Sequence, residues 1–136
     1  MFNDRSPEAL AKIAERRRHA RVPVGLKAAY WAVRDRRLQE GMLVTENASG
    51  GGLLFRSDGA FQVGMGVRLE MRLPEHTNPV RVHARVVRVE PDPRSPEVKQ
   101  VALSFTRIEN SDRKRLMQCL VARVFTPKDL AIIRAE

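Results

Sequence analysis

Apolar and polar residues alternate with period two over several stretches of this chain, the pattern of strands with one buried face. Val22, Val24, Leu26, Ala28 and Tyr30 form the first such series. Val67, Leu69, Met71 and Leu73 form a second, Val80, Val82, Ala84 and Val86 a third, and Lys99, Val101, Leu103 and Phe105 a fourth. The intervening outward positions of the second and third series are largely basic, with Arg68, Arg72, Arg81 and Arg85. Turn-forming residues separate the series: Asp35-Arg36, Ser57-Asp58-Gly59, the run from Pro74 to Pro79, and the run from Pro91 to Pro96. Short strands punctuated by turns predict an antiparallel barrel, in which closure leaves no strand edge exposed.

The period changes at both ends. Ser6-Pro7-Glu8 reads as a helix start, and Ala9, Leu10, Ile13 and Ala14 share one face of a short helix from about Pro7 to Glu15. Near the C-terminus, Asn110 or Ser111 can cap a second helix with Asp112 in its first turn. Leu116, Met117, Leu120, Val121 and Val124 then face the barrel. Thr126-Pro127-Lys128-Asp129 resembles a further cap, which makes residues 126–136 a tail or a short helix. The expected division is a helical N-terminal segment over 1–15, the barrel with its helix over 16–125, and that tail.

A chain of 136 residues fits one core. With 43% hydrophobic and 30% charged residues, it has the balance of a folded globular domain. No apolar run approaches the roughly 20 residues that cross a bilayer, and the first residues lack a signal-peptide core, so the expected address is cytoplasmic. Cys119 stands alone, which excludes an internal disulfide and leaves too few thiols for a cysteine metal site. It is read as a small apolar filler.

The net charge of +9 favours an anionic partner without choosing among nucleic acid, acidic lipid and phosphorylated small molecules. Two clusters narrow the choice. Arg16, Arg17, Arg18 and Arg21 crowd ahead of the first strand, with His19 among them. A guanidinium offers a planar fork of donors suited to phosphate and to the O6/N7 edge of guanine, each charge-assisted bond contributing about 1.5–3 kcal/mol. The second cluster is Asn47-Ala48-Ser49-Gly50-Gly51-Gly52. On an extended chain, Asn47 and Ser49 point the same way, and the glycines let a flat ligand approach the backbone. The same residues also suit a hairpin turn in which Asn and Ser bond their own backbone. No Gly-Lys-Ser/Thr follows, so the cluster is not an ATP-type phosphate loop.

In this order and separation the two clusters resemble the PilZ family, whose signature is RxxxR followed some thirty residues later by [D/N]xSxxG. Here these are Arg17 to Arg21, then Asn47, Ser49 and Gly52, and the likeness runs from about Glu15 to Phe125. The resemblance implies a mainly β fold: a six-stranded antiparallel barrel with a short N-terminal helix and a C-terminal helix packed on it. It implies cyclic di-GMP as ligand, with Arg17 and Arg21 clamping it, Asn47 and Ser49 contacting a base, and Gly52 keeping the backbone open. Arg18 is a further candidate contact, and His19 either touches ligand or spaces the arginines. An arginine at the position of Arg16 is similar to that of members that take up a stacked pair of ligand molecules. Many members carry aspartate where this chain has Asn47, which costs the charge assistance but keeps an acceptor.

The expected activity is therefore that of a receptor or adaptor, not an enzyme and without a cofactor, which orders its arginine segment on ligand and signals to a partner protein. A basic barrel binding single-stranded nucleic acid is the alternative, although aromatics amount to only 5% of the chain and such barrels need stacking platforms. His19, His76 and His83 show no metal-ligand spacing, and no paired carboxylates or Ser/His/Asp grouping can be assembled.

Overall fold

The computed structural model describes residues 21–74 and 76–124. The expected helix over 7–15, the arginines at 16–18, His19 and the tail over 126–136 lie outside the described residues.

Seven strands and one helix follow in order: β1 (Val22–Pro23), β2 (Lys27–Arg34), β3 (Arg37–Ala48), β4 (Gly52–Ser57), β5 (Gly66–Met71), β6 (Val80–Asp92), β7 (Ser95–Ile108) and α1 (Asn110–Val124). All pairings are antiparallel. The neighbours run β3-β2-β5-β6-β7-β4, and β4 returns to β3, closing a six-stranded barrel, with β1 paired to the far end of β3. The expected alternation holds in the first three series but not in the fourth, where Lys99 is exposed and Val101, Ala102 and Leu103 are buried in succession opposite a register shift in β6. Val22, Val24, Leu26, Ala28, Val67, Leu69, Met71, Val80, Val82, Ala84 and Val86 are all buried in one core.

The series from Val22 to Tyr30 is not one continuous strand, however. It breaks at residues 24–26, and Thr45 fills the break: its hydroxyl accepts the Leu26 N–H at 2.8 Å and donates to the Val24 carbonyl. The Pro-rich turn is also tighter than expected. Asp92 pairs with Ser95, so only Pro93 and Arg94 make the turn, while Pro91 and Pro96 belong to the strands.

Strand β3 has no apolar alternation to announce it. Its inward positions include Gln39 and Gly41, whereas Leu38, Met42 and Val44 point out. Gly41 is there because Tyr30 lies across it: a Cβ on Gly41 would come 3.1–3.3 Å from the Tyr30 ring. The ring packs in turn on Phe61 (centroids 5.4 Å apart), and Phe61 meets Phe55 edge-on at 5.2 Å. An aromatic cluster thus fills space that β3 leaves empty.

Helix α1 buries Leu116 and Leu120 completely, with Met117 and Cys119 partly covered, and packs on β6 and β1. Its first intrahelical bond runs from the Arg113 N–H to the Glu109 carbonyl at 2.9 Å, so the cap sits one residue before the expected Asn110. Arg115 fastens the helix by donating to the carbonyls of Asn78 (2.7 Å) and Pro79 (3.0 Å), and Asp112 accepts the Arg81 N–H at 3.2 Å.

Candidate functional site

Asn47 owes its position to a bulge. Thr45 pairs with Phe55 and Asn47 with Leu54, so Glu46 is an extra residue on β3. A bulge reverses which side chains face inward. Thr45 is buried before it and Ala48 after it, while Asn47, which would otherwise share the inward face of Thr45, turns outward. There it meets Arg21, whose Nη1 donates to Asn47 Oδ1 at 3.4 Å across 26 residues of sequence. Pairing of Val22 with Ala48 and Pro23 with Asn47 sets this register. Arg21, the described arginine of the cluster, and Asn47 of the lip therefore meet at one edge of the barrel. Arg21 is exposed, and its single long bond leaves most of its donors free among the described residues.

Ser49 behaves otherwise than the extended-chain reading expects. The strand ends at Ala48, and Ser49 is buried in the turn, its N–H donating to the Gly52 carbonyl at 2.8 Å and its Oγ accepting the Gly51 N–H at 3.1 Å. Asn47 and Ser49 accordingly face different ways. Gly52 has a packing reason to be glycine: a Cβ there would stand 2.3 Å from the Leu103 carbonyl oxygen. Next to it, the Gly51 carbonyl accepts the Phe105 N–H at 2.8 Å. The lip is thereby anchored on β7.

Behind the bulge lies a charge network that sequence reasoning missed. The Asp92 carboxylate, buried at the end of β6, accepts from the Arg94 backbone at 2.8 Å, from the Arg94 side chain at 3.2 Å, and from Arg56 on β4. Arg94 continues to Glu46 Oε1 at 2.8 Å, on the bulge residue itself. The side-chain and backbone bonds from Arg94, followed by that from Arg56, outweigh burial and hold Asp92 well below the usual carboxylate range, at about 2. The long β6–β7 hairpin is thus pinned onto the back of the site. Sequence offered little warning, because these residues lie up to 48 positions apart. Thr45 was missed for the same reason, as an unremarkable polar residue on a strand.

The described residues contain no cluster of three or more His, Cys, Asp or Glu that could hold a metal ion. Burial pushes the Cys119 thiol up, against the opposing pull of Arg123, which fits a packing residue better than a nucleophile. His83 is exposed, as expected of a solvated strand residue. Among the described residues, no helix is long and apolar enough to cross a membrane. A cleft of about 690 Å³ lies between Arg81 and His83 of β6, Arg107 of β7 and Asp112 and Arg115 of α1, and neither Arg21 nor Asn47 lines it. The contact of Arg21 with Asn47 lies instead at an exposed edge of the barrel.

Comparison with known proteins agrees with this fold. The chain is similar to the protein YpfA, described as uncharacterized, of Bacillus subtilis (strain 168), with 37% identity over 81 residues that cover 57% of this chain and 37% of that protein. Its fold is similar to that of the Bacillus subtilis inhibitor of motility MotI/DgrA, with TM-score 0.64 and 30% identity over 76% of this chain and 48% of that one. It also matches the PilZ domain of YcgR from Escherichia coli, solved with c-di-GMP, with TM-score 0.55 and 14% identity over 88% of this chain and 97% of that one. The chain thus spans less than half the length of the two Bacillus relatives. The PilZ domain family model matches residues 15–122, most of the chain and both motifs, and the chain belongs to the PilZ domain family.

Proposed function

We propose that this chain is a cyclic di-GMP receptor in which the arginine segment ahead of β1 closes over ligand held against Asn47 and passes the change to a partner protein. The observation that carries the reading is the contact of Arg21 with Asn47, which joins both halves of the motif at one exposed edge. YcgR, whose PilZ domain was solved with c-di-GMP, and MotI/DgrA, described as an inhibitor of motility, support the ligand and the protein output respectively.

A cyclic dinucleotide brings two phosphates and two guanines, and needs cations for the first and fixed hydrogen-bonding groups for the second. Arg17 and Arg21 supply the cations, with Arg16 engaging a second, stacked ligand molecule and Arg18 and His19 adding contacts. Asn47 Oδ1 accepts a guanine N–H. Ser49 and Gly52 hold the lip in place and let the ligand lie close to it. Without ligand, like-charge repulsion among the arginines opposes their packing together; binding removes that cost and orders the segment. The signal then passes to the partner through the ordered segment.

Nucleic-acid binding is less well supported. Tyr30 is packed on Phe61, and Trp31 is covered by Arg68, 4.8 Å above its ring, so neither is a free stacking platform.

Calorimetric titration of cyclic di-GMP into the wild type, Arg17→Ala and Arg21→Ala tests the assignment. The expected result is two ligand molecules per chain and at least a tenfold loss of affinity in each variant, about 1.4 kcal/mol or more. Unchanged affinity in both variants, or no binding by the wild type, overturns it. Amide exchange should slow over residues 5 to 25 when ligand is added; unaltered exchange there removes the closing segment from the mechanism.

A further inference from the structure

The outer face of β2 and β3 carries aliphatic side chains where a solvated barrel would carry polar ones, Val33 and Leu38 beside the connecting hairpin and Met42 and Val44 farther along β3. Leu38, Met42 and Val44 occupy alternate outward positions of β3 and are 63%, 63% and 54% exposed, and Val33, paired with Leu38 across the hairpin, is 60% exposed. Scattered exposed apolar residues are ordinary, but here they come as two adjoining pairs, Val33 with Leu38 and Met42 with Val44, separated on the same face by Glu40, which pairs with Trp31. Over Arg37–Val44, β3 pairs with β2 alone, because β4 joins it only from Thr45 to Ala48, so these side chains stand beside an uncovered strand edge.

Beside Val33 and Leu38 lies a groove of about 500 Å³, with Trp31 and Arg68 on its border and Gly66 within it. A Cβ on Gly66 would meet nothing within 4 Å, so this glycine serves no packing need of the chain and leaves room for something else. The Arg68 guanidinium rests 4.8 Å above the Trp31 ring, an arrangement that fixes both side chains in advance. Trp, Met and Arg are the residues enriched at protein interfaces. The ionisable groups lining the groove are Arg68, His83 and Arg85, and the nearest carboxylate on the same face is Glu40, which pairs with Trp31 outside the groove lining.

We propose that this groove and its aliphatic border dock a partner protein that presents an apolar side chain flanked by Asp or Glu. Charge complementarity selects the occupant. A second copy of the chain would set like-charged arginine borders against each other, adding to the repulsion between molecules that each carry a net charge of +9. A lipid surface is flat, whereas the cationic residues here border a concavity. This surface is independent of the Arg21–Asn47 site, and the proposal stands whether or not that site binds cyclic di-GMP.

A photoreactive benzoylphenylalanine at Leu38 in the full chain, with Gln118 on α1 as control position, tests it in the cells that produce the protein. The expected result is an adduct at Leu38 and not at Gln118, whose cross-linked peptide has an apolar residue beside Asp or Glu. The corresponding synthetic peptide should bind the purified chain, with affinity reduced at least tenfold by Arg68→Glu and by Gly66→Leu, which fills the groove. Gly66→Leu adds only an outward side chain, so it keeps the test valid if Arg68→Glu fails to fold. An adduct with a second copy, a cross-linked peptide without acidic residues, binding indifferent to both substitutions, stronger capture by vesicles of phosphatidylglycerol, or no adduct at Leu38 each overturns the proposal. Cyclic di-GMP titration of Gly66→Leu should match wild type and separates this surface from the ligand site.

Discussion

Thr45 stands in for a strand partner of Leu26, its hydroxyl receiving the Leu26 N–H at 2.8 Å where β1 and β2 part company. The same hydroxyl donates to Val24, so one side chain satisfies a donor and an acceptor inside the barrel wall. Thr45→Val keeps the shape and strands both groups. Leaving a buried N–H unpaired costs about 1–3 kcal/mol, and that loss should appear as a lower urea midpoint with an unaltered slope. Because Thr45 also fixes β1 beside Asn47, the variant should bind cyclic di-GMP more weakly.

Gly52→Ala should be worse tolerated than an alanine in a glycine-rich turn usually is. The added methyl would enter the Leu103 carbonyl, so β4 must shift off β7 at the position that anchors the lip. The expected destabilisation is about 1–3 kcal/mol or more, measured by thermal melting. Gly50 and Gly51 carry no positive φ, and flexibility alone does not account for the run.

Asn47→Asp should tighten cyclic di-GMP binding. A carboxylate would accept the guanine N–H and the Arg21 fork with charge assistance, a gain of about 1 kcal/mol, or roughly fivefold in affinity. A weaker complex in calorimetry would show that the amide donates to the ligand instead.

Asp92 sets an acid limit on stability. Its folded value of about 2 lies below the ordinary 3.8, so its contribution is complete at neutral pH and is lost as pH falls from about 4 to about 2. Urea midpoints taken across that window should fall for the wild type. Asp92→Asn should start lower at neutral pH and change less through the same range.

The β2–β3 hairpin turns through Asp35 and Arg36, both with positive φ (51° and 65°), the backbone of a two-residue turn that favours Asn-Gly. An L-residue such as Arg36 pays about 1–2 kcal/mol for that conformation, against the smaller entropic cost of a glycine. Arg36→Gly should therefore raise stability by about 0.5–1 kcal/mol in urea unfolding. The substitution leaves the Arg21 edge untouched.

What the sequence revealed and what it hid divide along physical lines. Strands β5 and β6 were legible because each buries one face, and alternation records that directly. Strand β3 was not, since its inward face is completed by Tyr30 laid over Gly41, and its outward face mixes Leu38, Met42 and Val44 with Glu40. The Arg and Asn ends of the motif were legible as a pair through residue type and spacing. The bulge at Glu46, which decides that Asn47 faces out and that Ser49 does not share its direction, depends on the pairing with β4 and leaves no local trace. Nor could the Asp92–Arg94–Glu46 bonds be read, because long hairpins bring together residues that no short window contains.

Strand β3 carries Asn47 near one end and Leu38 near the other, nine positions apart and about 30 Å along an extended backbone. A messenger molecule at the first end and a docked protein at the second would not compete for space. The two occupants would then meet different side chains of the same strand, so β3 itself offers a direct physical path by which one could influence the other.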